Sequence, residues 1–341
     1  MTSTRLALTR DQILAFRQRA GGLTERMPPG AGSLRQAAWA GLQDSMPRAA
    51  LLSIHARVAG TQPSDWENPA LVQVWGPHYS VFVVPAEDVA VFTAALLPED
   101  GKGRRRAEDL AARLNEHLGG KRASANDAGR ALGVHPNAFR YAAATGTVLI
   151  RWDGARRPDI WTVPRPATTP HDARLELARR YLHVYGPVTA EAFGRWAGFG
   201  PRDGDLAFAA LGGELLPVRT PVGEAWILAA DEAGFLAGPS APAAPARLLP
   251  SGDAYWLYHG AARELLVPDE GQRAELWTSR VWPGALLVGG EITGTWRRAD
   301  TVLSVETWRP LSPAERDAVL AEAESLPLPG AEGRITVRWA G

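Results

Sequence analysis

The sequence predicts an α+β fold: tandem winged-helix domains followed by a C-terminal β-barrel-like domain. Three observations carry this prediction. A pattern of one helix, one or two shorter helices and two turn-linked strands recurs three times before residue 238. A run rich in Ala and Pro, 238–246, then breaks the pattern. Beyond it the chain is mostly strand-like, with one helix.

The first unit is expected over 1–100. Thr9 and Gln12 form a capping box ahead of Ile13, Leu14 and Phe16. Helices are predicted over 33–42 and 47–58, then strands over 72–75 and 79–84, with Gly76-Pro77-His78 as the turn. Pro85 is expected to open a further helix, with Glu87 and Asp88 in its first turn. The second unit is expected over 101–167. Leu110, Leu114 and Leu118 share a helix face with Ala107 and Ala111, Ser124 and Asp127 cap a short helix ending near Gly133, and 136–144 is the next helix. Strands over 147–152 and 159–163 make its wing, with Arg156 and Arg157 at the tip.

A third unit is expected over 168–237. Thr169 caps, Pro170 is the first helical residue, and Leu175, Ala178 and Leu182 form the buried stripe. Short helices over 189–197 and 201–210 and strands over 214–219 and 224–228 complete it. The 238–246 segment reads as a proline-stiffened linker. In the last domain, 247–341, strands are predicted over 286–288, 295–298, 302–305 and 335–339, and a helix over 312–324. A small barrel or a sheet with one helix fits that order.

Composition narrows the chemistry. Cysteine is absent, so disulfides, thiolate zinc sites and cysteine nucleophiles are excluded. The seven histidines have no metal-ligand spacing, and no phosphate-binding glycine loop is present, so no metal or cofactor is expected. Nothing resembles a signal peptide or a membrane span, and a cytoplasmic, nucleoid-associated monomer is the expectation. Lys+Arg and Asp+Glu both number 37. Zero net charge counts against a nucleic-acid partner unless the charge is segregated into a patch. A GC-rich coding bias would also supply arginine without any function.

Candidate contacts with double-stranded DNA fall into three groups. Lys102 is followed by Arg104, Arg105 and Arg106 at a helix start, and Lys121-Arg122 precede the Ser124 cap. A solvated linker between two units explains these equally simply. Asn137, Arg140 and Tyr141 on the third helix of the second unit, with Arg156 and Arg157 on its wing, are better placed for groove and backbone. Winged helices also serve as protein-binding modules, and zero net charge suits that role. The segment 41–52 stands apart: polar Gln43, Asp44 and Ser45 separate two apolar helices. Asp44 or Ser45 merely caps the second helix in one reading. In the other, Gln43 and a carboxylate in a DNA cleft hold a water.

At these residues the sequence resembles the winged-helix DNA glycosylases of the AlkZ and YcaQ type. The resemblance runs, in order, through 43–52, 71–88, 246–250 and 281–298. It implies tandem winged helices and a barrel cupping a DNA duplex, with monofunctional hydrolysis of the N-glycosidic bond of alkylated or crosslinked bases. In that family the catalytic pattern is Gln, an apolar residue, then Gln or Asp; here Gln43, Asp44 and Ser45 occupy it. Gln43 would orient the water, Asp44 would activate it or stabilise the sugar cation, and Ser45 would assist. Where family members have an Arg-Gly-Thr-x-His run, this sequence reads His78-Tyr79-Ser80-Val81-Phe82, with the Arg and the His both changed. By the same resemblance Arg48, His78 and Arg297 join the expected DNA contacts. The alternative is a non-catalytic winged-helix DNA-binding protein, a regulator or lesion binder.

Overall fold

Three sheets and the helices between them organise the chain as an α+β fold. The computed structural model describes residues 5–340 apart from 47, 100, 155, 201, 239–245 and 329–333. Most of the expected linker therefore lies outside the described residues. So do Pro47 and Pro201, the expected first residues of two helices, and Ala155 of the expected wing tip.

The first sheet has six strands in the order Leu42–Gln43, Val81–Pro85, Leu71–Trp75, Val148–Arg151, Asp159–Thr162 and Ala123–Ser124. It crosses the boundary expected at residue 100, because Gln73 pairs with Ile150. Helix Gly101–Leu118 lays Leu110, Ala111, Leu114 and Leu118 against Phe139, Val148, Ile150 and Ile160. Ser124 caps Ala125–Leu132, which ends at Gly133 in a left-handed conformation, as the sequence predicts.

Several expectations are corrected. Helix 33–42 is observed as Ala31–Ala37, and Leu42 is a strand residue. Gly41, at φ +78, turns the chain where a Cβ would meet the Phe92 ring at 2.7 Å. Helix 47–58 is observed as Ala49–His55, because Arg48 at its N-cap takes φ 65. Pro85 closes a strand, and the next α-helix is Val89–Thr93. Tyr79 belongs to the turn rather than to a strand.

The expected third unit has helices Pro170–Tyr185, Ala190–Ala197 and Asp203–Leu211 and the antiparallel strands Leu215–Thr220 and Gly223–Leu228. Its first helix buries Ala173, Leu177, Ala178, Tyr181 and Tyr185, while Leu175 is only half-buried. Two N-terminal elements dock here. Strand Leu6–Ala7 pairs parallel with Leu215–Thr220. Helix Arg10–Ala20, capped by Thr9 and Gln12, buries Ile13 and Phe16 with Val218, Ile227 and Phe235. Its apolar stripe was legible in the sequence, but its packing partner, some 200 residues away, was not.

The last sheet runs Ala246–Leu249, Gly284–Val288, Glu291–Ala299, Val302–Thr307, Thr336–Ala340. It is open, not a barrel: its first and last strands do not pair among the described residues. The final pair is parallel, which requires a crossover, and helix Pro313–Glu324 provides it. That helix covers one face through Val319 and Ala323 against Leu248, Leu286 and Val305. No described helix is long and apolar enough to cross a membrane.

Candidate active site

Gln43, Asp44 and Ser45 leave the edge of the six-stranded sheet. Gln43 pairs with Phe82, and the Asp44 N–H donates to the Val81 carbonyl at 2.8 Å. Past Asp44 the three side chains diverge. Gln43 is half-buried and donates through Nε2 to Ser45 Oγ at 3.1 Å; Ser45 is exposed. Asp44 is only 1% exposed. Its Oδ1 accepts the Ala50 N–H at 3.0 Å and its Oδ2 accepts Gln73 Nε2 at 2.8 Å. The carboxylate thus caps helix Ala49–His55 and does not face the cleft. Burial pushes its pKa up to about 6, against the opposing pull of the Ala50 and Gln73 hydrogen bonds and the Arg48 charge.

Gln73 is a site residue that the sequence reading missed. Besides Asp44 it serves both backbone groups of Trp152: Oε1 accepts the Trp152 N–H at 2.7 Å, and Nε2 donates to its carbonyl at 3.2 Å. Its signal was present, since a glutamine interrupts the apolar run Leu71-Val72-Gln73-Val74-Trp75. A buried amide at such a position needs partners for all its polar atoms.

The other support of the site comes from the C-terminal half. Gly252, at φ +77, lies so close to Gln43 that a Cβ there would sit 2.8 Å from Gln43 Oε1. The neighbouring Asp253 makes a two-pronged ion pair with Arg57, at 2.8 and 2.9 Å, and both are buried. Arg57 also donates to the carbonyls of Gly21 and Ser53. Although burial opposes it, the Arg57 guanidinium holds the Asp253 pKa below the ordinary value. No local sequence signal joins residues 196 positions apart.

Two cavities meet at this loop. A groove of about 590 Å³ is lined by Asn137, Arg140, Arg156 and Arg157, with Tyr79 and Trp152. A cavity of about 330 Å³ is lined by Gln43, His78, Phe82, Trp196, His259 and Trp282, with Arg280 at its wall. Ser45 and Ser80 line both. Among the described residues no carboxylate lines either one. In a chain of zero net charge, Arg140, Arg156, Arg157 and Arg280 therefore give the two cavities a cationic lining. Arg157 donates to Asn137 Oδ1 at 3.1 Å, which ties the strand connection to the helix side of the groove. Burial, then the Arg263 charge, pulls the His259 pKa down to about 4, leaving that ring neutral near pH 7.

The turn between the cavities is strained. His78 and Tyr79 take φ 56 and 53 in succession, a conformation costing about 1–3 kcal/mol per residue. His78 Nε2 donates to the Arg195 carbonyl at 2.6 Å. Gly198 lies beneath, where a Cβ would sit 3.0 Å from His78 Cα.

The remaining candidates are dispersed. Arg48 stacks over Trp66 at 3.6 Å and donates to the Trp152 carbonyl at 3.5 Å, so it is engaged within the fold. Arg297 donates to the carbonyl of Val281, a residue of the smaller cavity. Arg104 bonds Glu108 and the Glu99 carbonyl. Arg105, Arg106, Lys121 and Arg122 are exposed, and Arg122 covers the Trp161 ring at 4.0 Å. None of these five lines either cavity.

Comparison with known proteins gives three findings. The sequence profile of the family described as DNA glycosylase AlkZ-like matches residues 37–327. An interstrand DNA cross-link repair glycosylase of Streptomyces sahachiroi is 29% identical over 173 residues, 50% of this chain; the match spans about half, 46%, of that relative's length. The solved structure of the Streptomyces sahachiroi DNA glycosylase AlkZ superposes with a TM-score of 0.77 at 17% identity, covering 98% of this chain and 100% of that one. At that identity the superposition shows a shared fold.

Proposed function

The chain belongs to the AlkZ-like DNA glycosylase family, and from that premise we propose that it is a monofunctional DNA glycosylase acting on alkylated or crosslinked bases in double-stranded DNA. We read 1–100, 101–167 and 168–237 as three winged-helix units, with the N-terminal strand and helix docked on the third, and 247–341 as an open-sheet domain. The DNA sits in the arginine-lined groove, and Gln43 and Ser45 act where it meets the smaller cavity. The observation that carries this is the junction itself: Ser45, bonded to Gln43, lines both a cationic groove and an aromatic cavity.

The chemistry is hydrolysis. The bond from C1′ to the base nitrogen breaks, its electron pair leaves with the base, and a water oxygen adds to the oxocarbenium-like carbon and gives up its proton to solvent water. A base alkylated at N7 or N3 is already cationic and departs neutral, so it needs no general acid. The demands on the protein are therefore water placement and charge stabilisation. Gln43 supports both through an amide that needs no particular ionisation state. Ser45 Oγ accepts from Gln43 and keeps its own proton for donation. Asp44 acts as a positioning residue, through the helix it caps and through Gln73. Asn137, Arg140, Arg156 and Arg157 hold the DNA, with His78 and Arg297 at the edges of the smaller cavity. Arg104, Arg105, Arg106, Lys121 and Arg122 would add only long-range attraction, and Arg48 stiffens the fold beside Trp152.

A specific observation also favours the second reading, a non-catalytic DNA-binding protein: among the described residues no carboxylate lines either cavity. The deciding experiment is base release from duplex DNA carrying N7-alkylguanine, N3-alkyladenine or an interstrand crosslink. Abasic-site formation lost in Gln43→Ala establishes the glycosylase. Duplex binding without release from any of the three substrates supports the second reading.

A further inference from the structure

Tyr79, which lines the groove, and Tyr141, whose ring touches it, have no part in the hydrolytic reading. Tyr141 lies on helix Phe139–Ala143 and is 58% exposed, while Phe139, Ala142 and Ala143 fill the core side of that helix. Its ring meets that of Tyr79 edge-on, with centroids 4.9 Å apart. Tyr79 is supported from behind, against Leu96, Leu97, Ala107 and Ala144. Its left-handed backbone follows that of His78, which is fixed by the Arg195 carbonyl and by the close approach of Gly198. Elements far apart in the chain thus converge to hold one exposed aromatic ring. Arg140, the residue before Tyr141, lines the groove together with Tyr79, Arg156 and Arg157.

An exposed aromatic ring held against a second one, beside the groove arginines, matches a nucleobase attached to its phosphate. We propose that Tyr141, backed by Tyr79, is a stacking site for an unpaired nucleobase, separate from Gln43 and Ser45. The inference rests on the reading of DNA as the substrate. A base inside a continuous duplex has both faces covered by its neighbours, so the ligand is a base displaced from its stack, beside or opposite the lesion. The site then favours distorted over regular duplex, and it does so whether or not the base-releasing step operates.

The test uses the full chain and two short duplexes, one fully paired and one with 2-aminopurine opposite an abasic site. The unsubstituted protein is expected to quench the 2-aminopurine fluorescence and to prefer the distorted duplex. Tyr141→Ala is expected to abolish the quench and to weaken binding of the distorted duplex about fivefold or more, leaving the paired duplex within about twofold. Tyr141→Phe is expected to keep both properties, because the ring is retained. A preference and a quench unchanged in Tyr141→Ala overturn the proposal. Failure of the underlying reading looks different: the unsubstituted protein then binds neither duplex, and both fall together. A Gln43→Ala protein that loses base release yet keeps the quench supports a site separate from the chemistry.

Discussion

Gln73 donates a hydrogen bond to Asp44 at 2.8 Å while its carbonyl oxygen accepts the Trp152 N–H at 2.7 Å. One buried amide therefore couples the loop carrying Gln43 and Ser45 to the strand end from which Trp152 enters the groove. In Gln73→Leu the Asp44 carboxylate and the Trp152 N–H each lose a partner inside the protein. A stability loss of about 2–4 kcal/mol is expected by urea unfolding. Unchanged stability would show that Gln73 is not a structural coupler.

The Arg57–Asp253 pair is the second coupling. Breaking a buried pair strands one charge, so Asp253→Asn is expected to cost about 3–5 kcal/mol in thermal or urea unfolding. Replacing both residues with leucine removes both charges and is expected to recover part of that loss. A double variant no better than Asp253→Asn would mean that the bonds of Arg57 to Gly21 and Ser53 matter more than the ion pair.

Gly252 offers a milder perturbation of the same contact. A Cβ at φ +77 strains the backbone by about 1–2 kcal/mol and presses on Gln43 Oε1. Gly252→Ala is expected to slow base release severalfold while leaving duplex affinity nearly unchanged. Equal loss of both would place Gly252 in DNA binding instead.

The pH dependence follows from two buried groups of opposite sense. Asp44 has its folded pKa raised to about 6, so the folded state holds a proton that the unfolded chain releases near 4; its contribution to stability falls as pH rises from about 4 to 6. Burial, then the Arg26 and Arg247 charges, lowers the His55 pKa to about 3, so its contribution falls as pH drops below about 6.5. Each slope is about 1.4 kcal/mol per pH unit, and between pH 4 and 6 they oppose each other. Asp44→Asn removes only the first. Its stability is expected to fall with acidification more steeply than that of the unsubstituted protein, which urea midpoints across this range would reveal. Parallel pH profiles would show that Asp44 is not neutralised on folding.

The groove arginines are testable by salt. Arg156→Ala and Arg157→Ala are each expected to reduce the slope of log affinity against log salt by about one, with similar loss on all duplex sequences. The same substitutions in Arg105 and Arg106, which lie outside both cavities, are expected to change the slope less. The reverse ranking would move the DNA to the helix 101–118 face.

The sequence by itself determined what local chemistry controls. Capping at Thr9, Ser124, Thr169 and Ser312, the stripe of helix 101–118 and the main strand pairs were legible, because caps, period and turn residues act over a few positions. The polar interruption at Gln43 to Ser45 was legible too, as was the arginine pair at 156 and 157. Only the tertiary structure decided which face each residue serves. Asp44 turned inward because helix 49–55 needed a partner for its free N–H groups and Gln73 stood opposite. Arg48 was drawn onto Trp66 by cation–π attraction. The last sheet is open, with its final strand brought in parallel over a helix, a pairing that the strand pattern alone does not specify. Gly252 and Asp253 reached Gln43 and Arg57 from some 200 residues away, and contacts of that range are set by the packing of whole units, which no local pattern encodes.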